Sequence, residues 1–266
     1  MDKKRVVSGT TIAEPRRQLR ASSPRFRQAA CFSAILILAL ARAWAETPCA
    51  IPEGLALHDI SLPAAKQAVA GDQRLVVLTF GGVHPAGVDA ETRGTTYPAR
   101  LEAALAADLP QVKVEVANEA PPGKTSADVP PVLADLIAKT GARLVIWGPG
   151  GRDVMARLDP VAFLAAVRAG IDAARHAGAD LILLDTTFVP SPSRMAAIQV
   201  YREELLSVAA ANNVPVLKRH DMMRRWSEDG TLNLAARDPA ERELVVRHMF
   251  ACVAQGLAAP IAAAVK

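Results

Sequence analysis

"RLVVLTFGGVHPAG", residues 74–87, is a run of six consecutive apolar or β-branched residues after an arginine, entering a turn with three glycines and a proline. A strand that short and that continuously apolar is covered on both faces. In an α/β sheet the turn at its carboxyl end is a ligand-facing loop. The turn carries no Ser, Thr or Cys, so it offers no obvious nucleophile.

The same pattern recurs downstream. Short apolar runs at 74–80, 112–118, 143–148, 180–185 and 214–219 alternate with segments of helical spacing at 97–107, 127–140, 160–177, 193–212 and 242–264. Strand and helix in regular alternation predict a parallel five-stranded sheet in a three-layer αβα, flavodoxin-like fold. Ligands in such a fold bind beyond the carboxyl ends of the strands, which directs attention to the loops at 81–87, 118–128, 148–154 and 185–193.

Charge is unevenly placed. Residues 1–45 hold nine of the 31 Lys/Arg and two of the 27 Asp/Glu, so the formal net charge of +4 hides a remainder that is mildly acidic. The basic stretch ends at Arg27 and is followed by the apolar run Ala29–Ala41 and by Ala43-Trp44-Ala45 before Glu46. That order reads as a cleavable export signal over 1–45. Its apolar run is shorter than the roughly 20 residues that span a bilayer. The expected organisation is therefore signal peptide 1–45, loose lead-in 46–73 and one domain over 74–266, periplasmic or secreted, with no stable membrane anchor after cleavage. Export would leave Cys49 and Cys252 in an oxidising space, as a disulfide or as two separate thiols.

Two tempting motifs are set aside. "NEAPPGKTS" (118–126) ends like a phosphate-binding loop, but Asn118 stands where the first glycine belongs and Pro121-Pro122 remove backbone donors. Arg224-Arg225-Trp226 is a basic cluster without interleaved aromatics on a net acidic remainder, which argues against nucleic acid. No cofactor or metal is expected, since no ligand set at metal spacing appears.

The loops in collinear order, with "YPARLEAAL" (97–105), "LVIW" (144–147), "LLDTTFVP" (183–190), "MMRRW" (222–226) and "CVAQGLAAPI" (252–261), resemble the SGNH/GDSL hydrolase superfamily over 74–261. The resemblance implies ester hydrolysis: a Ser nucleophile, a His base from a D-x-x-H pair, and oxyanion donors from the Ser amide, a Gly and an Asn. Position by position, the Ser falls on Val83 and the third-block Asn on Arg152. The second-block Asn matches Asn118, but the glycine after it is Ala120. The third-block Gly matches Gly150. The D-x-x-H pair falls on Glu241 and Leu244, or in a second register ("EDGTLN", 228–233) its His falls on Leu232. A nucleophile and its base act as a unit, so these replacements imply a degenerate pseudo-esterase.

The resulting expectation is a binder of a small anionic or carbohydrate-derived ligand, or of an envelope partner, through Gly81, Gly82, His84, Asn118, Gly150, Arg152 and Asp153. Arg152 suits a carboxylate, phosphate or sulfate, or an internal ion pair with Asp153 or Asp185. Two alternatives stand beside it. One is an active esterase with a relocated nucleophile, Thr79, Ser191 or Ser193, served by His84 or His220. The other is a structural subunit of an envelope assembly. His220-Asp221 is otherwise expected as a solvated turn before the "MMRRW" helix, and His248 as a surface or interface residue.

Overall fold

β1 (Arg74–Gly81) is buried from Leu75 to Phe80, and its side chains divide by the two-residue period of a strand. Leu75 and Val77 enter one apolar cluster, whereas Val76, Leu78 and Phe80 enter another on the opposite face. β3 (Leu144–Gly148) divides likewise, with Leu144 and Ile146 on the first side and Val145 and Trp147 on the second. Two cores either side of one sheet require helices on both faces, as the continuous apolar runs predict. Each fully buried Leu, Val or Ile contributes about 1.5–3 kcal/mol of transfer free energy.

The computed structural model describes residues 49–81, 95–119 and 124–266. The remaining strands are β2 (Lys113–Asn118), β4 (Asp180–Leu184) and β5 (Val216–Leu217). All pairings are parallel in the order β2-β1-β3-β4-β5. The winding reverses between β1 and β3, where Phe80 pairs with Trp147 and Gly81 with Gly148. In a doubly wound sheet such a reversal is where ligand crevices form, beyond the carboxyl ends of the strands.

One face of the sheet is covered by α1 (Pro63–Asp72), α2 (Tyr97–Asp108), α7 (Arg219–Glu228) and α8 (Pro239–Val265). The other is covered by α3 (Pro130–Thr140), α5 (Pro160–His176) and α6 (Pro192–Ala211). A 3₁₀ turn at Ser126–Asp128 and the short α4 (Gly151–Ala156) follow β2 and β3. Proline stands in the first turn of α1, α2, α3, α5, α6 and α8, where its missing N–H leaves no intrahelical bond unmade. Asp159 caps α5 by accepting from the Val161 and Ala162 amides, and Asp238 caps α8 by accepting from Glu241 N. α8 is long and apolar enough to cross a membrane, but most of its apolar stretch is buried within the fold, as in a core helix.

The structure differs from the sequence reading in three places. The lead-in is not loose from Cys49 onward: Cys49, Leu57, Leu62 and Ala65 lie in the first core, and α1 forms. Ala65 N donates to Asp180 Oδ2 (2.9 Å) and Trp226 Nε1 to the Ala50 carbonyl (2.9 Å). Cys49 and Cys252 are joined by a disulfide with their Cα atoms 5.2 Å apart. The fifth strand has two residues rather than six, because α7 starts at Arg219 with Asp221 in its first turn, where a carboxylate complements the helix dipole. The last helix begins at Pro239, not Arg242, because Asp238 and Pro239 form a cap and first turn. The expected signal segment, 1–45, lies outside the described residues.

Candidate functional site

The carboxyl ends of β1, β3 and β4, with the loop after β2, border a cavity of about 600 Å³. Its apolar wall includes Phe80, Trp147, Val129, Val154 and Ile198. Its cations are Lys124, Arg152, Arg194 and Arg219, and Asp153 is the one carboxylate among the described lining residues.

Asp153 is committed to holding the wall. It is 1% exposed. Its Oδ1 accepts from Ser126 N (2.8 Å), and its Oδ2 accepts from Ser126 Oγ (2.9 Å) and Gly150 N (2.8 Å). One carboxylate thus latches the loop after β2 to the loop after β3. Gly150 has φ 100°, and a Cβ there would stand 2.9 Å from Thr186 Cγ2, so only glycine fits this turn without a shift. Gly81 has φ 65° and would bring a Cβ to 2.8 Å from the Gly148 carbonyl oxygen. These glycines let the β1, β3 and β4 termini crowd together.

Beneath the cavity lies a buried polar cluster of Thr79, Tyr97, Asp185, Thr186, Arg219 and His220. Asp185 accepts from Arg202 Nε (2.8 Å) and from the Thr186 amide (2.7 Å). Arg202 also reaches Asp221 (2.5 Å). Burial raises the Asp185 carboxyl above the ordinary range, against the opposing pull of Arg202. Burial also lowers the His220 imidazole, and the neighbouring Arg202 charge adds to that, so the ring favours its neutral form. Its Nδ1 lies 3.4 Å from Thr186 Oγ1, and Phe188 packs edge-on against the ring. Burial pushes the Tyr97 hydroxyl up to about 12, with the Arg219 charge and the Thr79 hydroxyl pulling the other way. Thr79 comes near without an aligned hydrogen bond, which leaves Tyr97 Oη unsatisfied among the described groups.

Arg219 is the least expected member. It is 4% exposed and lines the cavity. Its Nε donates to the Asp185 backbone carbonyl (2.9 Å), and no carboxylate among the described residues lies within ion-pair distance. Burial lowers its guanidinium from the ordinary arginine value. A buried cation without a carboxylate is costly, and here it faces a cavity large enough for a ligand.

Of the residues singled out from sequence, Gly81, Arg152 and Asp153 line the cavity. Gly150 shapes the wall from behind, and Asn118, at the end of β2, is exposed and accepts from Thr79 Oγ1 (3.4 Å). Arg202 rather than Arg152 pairs with Asp185, and the Asp153 oxygens serve Ser126 and Gly150. Gly82, Val83, His84 and Ala120 lie outside the described residues. His220 is not in a solvated turn, because α7 tucks its first turn under the sheet edge. Thr79 is fully buried and bonded to the Ala117 carbonyl, while Ser191 and Ser193 lie 3.4 Å apart at the start of α6, so none of the three meets His220.

Glu241 accepts from Asn233 on the surface, and Leu244 is 64% exposed. Leu232 is buried in the first core. None of these last-block positions lines the cavity, since α8 starts on the outer surface. Sequence reading missed Arg219 and Arg194. The signal was present in "KRHD" (218–221), a charged run directly after an apolar strand.

The strand order and the cavity at the winding reversal define a doubly wound, flavodoxin-like α/β protein. The chain belongs to the Non-GDSL lipase-like family, whose model matches residues 48–266. Solved structures agree on the fold. TesA is 19% identical with a TM-score of 0.51, the match covering 68% of this chain and 99% of that one. A catalytic mutant of Axe2, an acetylxylan esterase from Geobacillus stearothermophilus, is 15% identical with a TM-score of 0.54, covering 69% and 92%. The psychrotrophic esterase EstA from Pseudoalteromonas sp. is 14% identical with a TM-score of 0.51, covering 68% and 98%. A comparison with curated proteins gives no match.

Proposed function

We propose that the protein, exported from the cytoplasm, binds a small anionic or acidic carbohydrate-derived ligand in this cavity, on an esterase-like scaffold whose ester-cleaving residues have been replaced. The observation that carries the reading is Arg219, a buried guanidinium with no carboxylate within ion-pair distance among the described residues, in a wall shared with Lys124, Arg152 and Arg194. An anion seated there would pair with these cations through charge-assisted hydrogen bonds. The apolar side of the cavity accepts the rest of the ligand. The test is a thermal-shift and calorimetric screen of the purified protein with sulfate, phosphate, acetate and hexuronates. A true ligand at 100 times its Kd adds about 2.7 kcal/mol of stability. No stabilisation by any anion contradicts the reading, and co-purification of envelope proteins with a flat screen favours a structural subunit.

One observation favours a second reading, ester hydrolysis. Thr186 lines the cavity, and its Oγ1 lies 3.4 Å from Nδ1 of His220, whose charged form burial disfavours, a nucleophile and base in reach of each other. Short-chain aryl and acetyl-sugar esters with a serine/threonine-reactive phosphonate decide it. Turnover with labelling of Thr186, lost in Thr186→Val, establishes hydrolysis and overturns the binding-only reading.

A further inference from the structure

On the face of the molecule built from α8, the start of the described chain brings a second set of reactive side chains together. Cys49, His248 and Cys252 place one imidazole nitrogen and two sulfurs within 4.8 Å of one another. His248 and Cys252 are four residues apart on α8, so they share a helix face. Cys49 arrives from the segment before α1. In the structure the two sulfurs are joined, and the Cα atoms are 5.2 Å apart.

The position of Cys49 does not rest on the disulfide alone. Its amide donates to Gln255 Oε1 (3.1 Å), one turn beyond Cys252. The next residue, Ala50, accepts from Trp226 Nε1 (2.9 Å). Ile51 then packs close to Gly256, where an added Cβ would stand 3.5 Å from Ile51 Cδ1. Three anchors on two helices hold the segment, so breaking the S–S bond leaves both thiols and the imidazole facing each other.

We propose that Cys49, His248 and Cys252 form a redox-gated zinc site: closed while the disulfide stands, and open to one divalent zinc ion once it is reduced. Two thiolates and an imidazole are a borderline-soft ligand set suited to Zn²⁺, with a fourth position left to water or an exogenous ligand. Tetrahedral zinc with these ligands needs ligand-atom separations of about 3.5–3.8 Å, so the sulfurs, joined in the structure, must rotate apart once reduced, while all three ligand atoms start within 4.8 Å of one another. The chemistry balances with a thiol reductant. Two equivalents of R–SH reduce the disulfide to two cysteine thiols and leave as R–S–S–R. Zinc then displaces the two thiol protons, which pass to solvent, and His248 contributes an imidazole nitrogen lone pair without redox change. The site stands apart from the anion cavity and does not depend on it.

The test uses the full chain carrying Cys31→Ser, which removes the one other cysteine. The protein is reduced with a dithiol, exchanged into metal-free buffer under inert gas, and titrated with Co²⁺ as the spectroscopic probe. Zn²⁺ competition follows. The expected result is one Co²⁺ per reduced chain with thiolate charge-transfer and tetrahedral d–d bands, displaced by Zn²⁺ and absent from the oxidised protein. His248→Ala should weaken binding by about tenfold or more, on the scale at which losing even an outer-shell partner weakens metal sites. Zinc should also slow reoxidation of the reduced chain. A melting transition of the reduced apoprotein shows that the fold persists. The proposal is overturned by a folded reduced chain without the thiolate bands, by His248→Ala binding as tightly as the parent, or by a reduced chain that unfolds and is not restored by metal.

Discussion

Arg219 donates from Nε to the backbone carbonyl of Asp185 at 2.9 Å, while the Asp185 carboxylate turns away to Arg202 at 2.8 Å. One buried and one partly buried cation thus flank one buried acid, and only Arg202 has it as an ion-pair partner. This division separates an arginine in an ion pair from one that has no carboxylate at ion-pair distance among the described residues and lines the cavity.

Replacing Arg202 tests the structural half. Arg202→Met leaves Asp185 buried and its carboxylate without its cation, a change that costs about 3–5 kcal/mol where a buried pair is broken on one side. The double variant Arg202→Met/Asp185→Asn should recover part of that loss. Chemical denaturation of the three proteins measures both.

The latch at Asp153 predicts a coupled loss. Asp153→Asn places an NH₂ donor where the carboxylate accepts from Ser126 N, Ser126 Oγ and Gly150 N, so at least one buried group loses its acceptor. Stability should fall by about 1–3 kcal/mol. Anion affinity should fall with it, because the loops carrying Lys124 and Arg152 are no longer clamped together. Isothermal titration beside thermal melts separates the two effects.

The cavity wall has a steric check behind it. Gly170, in α5, sits against Trp147, and a Cβ at that position would stand 2.4 Å from the indole Cζ3. Gly170→Ala must displace Trp147, which lines the cavity, at a cost of about 1–3 kcal/mol for overpacking. A shift in tryptophan fluorescence and weakened anion binding are the expected readouts.

His220 sets a pH dependence. Burial and the Arg202 charge hold its folded pKa below the ordinary 6.5, with Asp185 and Asp221 opposing and Arg224 adding a little. Between the folded value and 6.5 the unfolded chain binds the proton more readily, so stability is present above 6.5 and is lost as pH falls through that window. Asp185 acts in the opposite sense. Its folded pKa is raised above 3.8, so its contribution is fully present below 3.8 and is lost as pH rises through the folded value. His220→Gln should remove most of the slope just below pH 6.5, and melting temperatures across pH 5–8 check it.

The sheet was legible from sequence because strands covered on both faces must be apolar throughout, as Leu75–Phe80 and Leu144–Trp147 are. The short β5 and the early start of α7 were not, since Lys218-Arg219-His220-Asp221 is charged and yet buried in part. Burial of Arg219 and His220 follows from how α7 packs under the sheet edge, a tertiary fact that local pattern does not encode. Arg152 and Asp153 were legible through their place after the third strand, but the assignment of Asp153 to Ser126 joins two loops 27 residues apart in sequence. The last motif block misled in both registers, because Leu232 is a core residue and Leu244 a surface one.

Arg219 gives the most direct measurement. Arg219→Met keeps an apolar stem of similar length and removes the charge, and Arg219→Lys keeps the charge without the planar fork. In titration calorimetry with the anion that stabilises the parent best, the anion-site reading predicts binding weakened at least about 100-fold in Arg219→Met, a loss near 3 kcal/mol of charge-assisted hydrogen bonding. Arg219→Lys should fall between, and without ligand Arg219→Met should melt close to the parent. Unchanged anion affinity in a folded Arg219→Met protein would contradict the reading and remove the case for an anion-binding cavity.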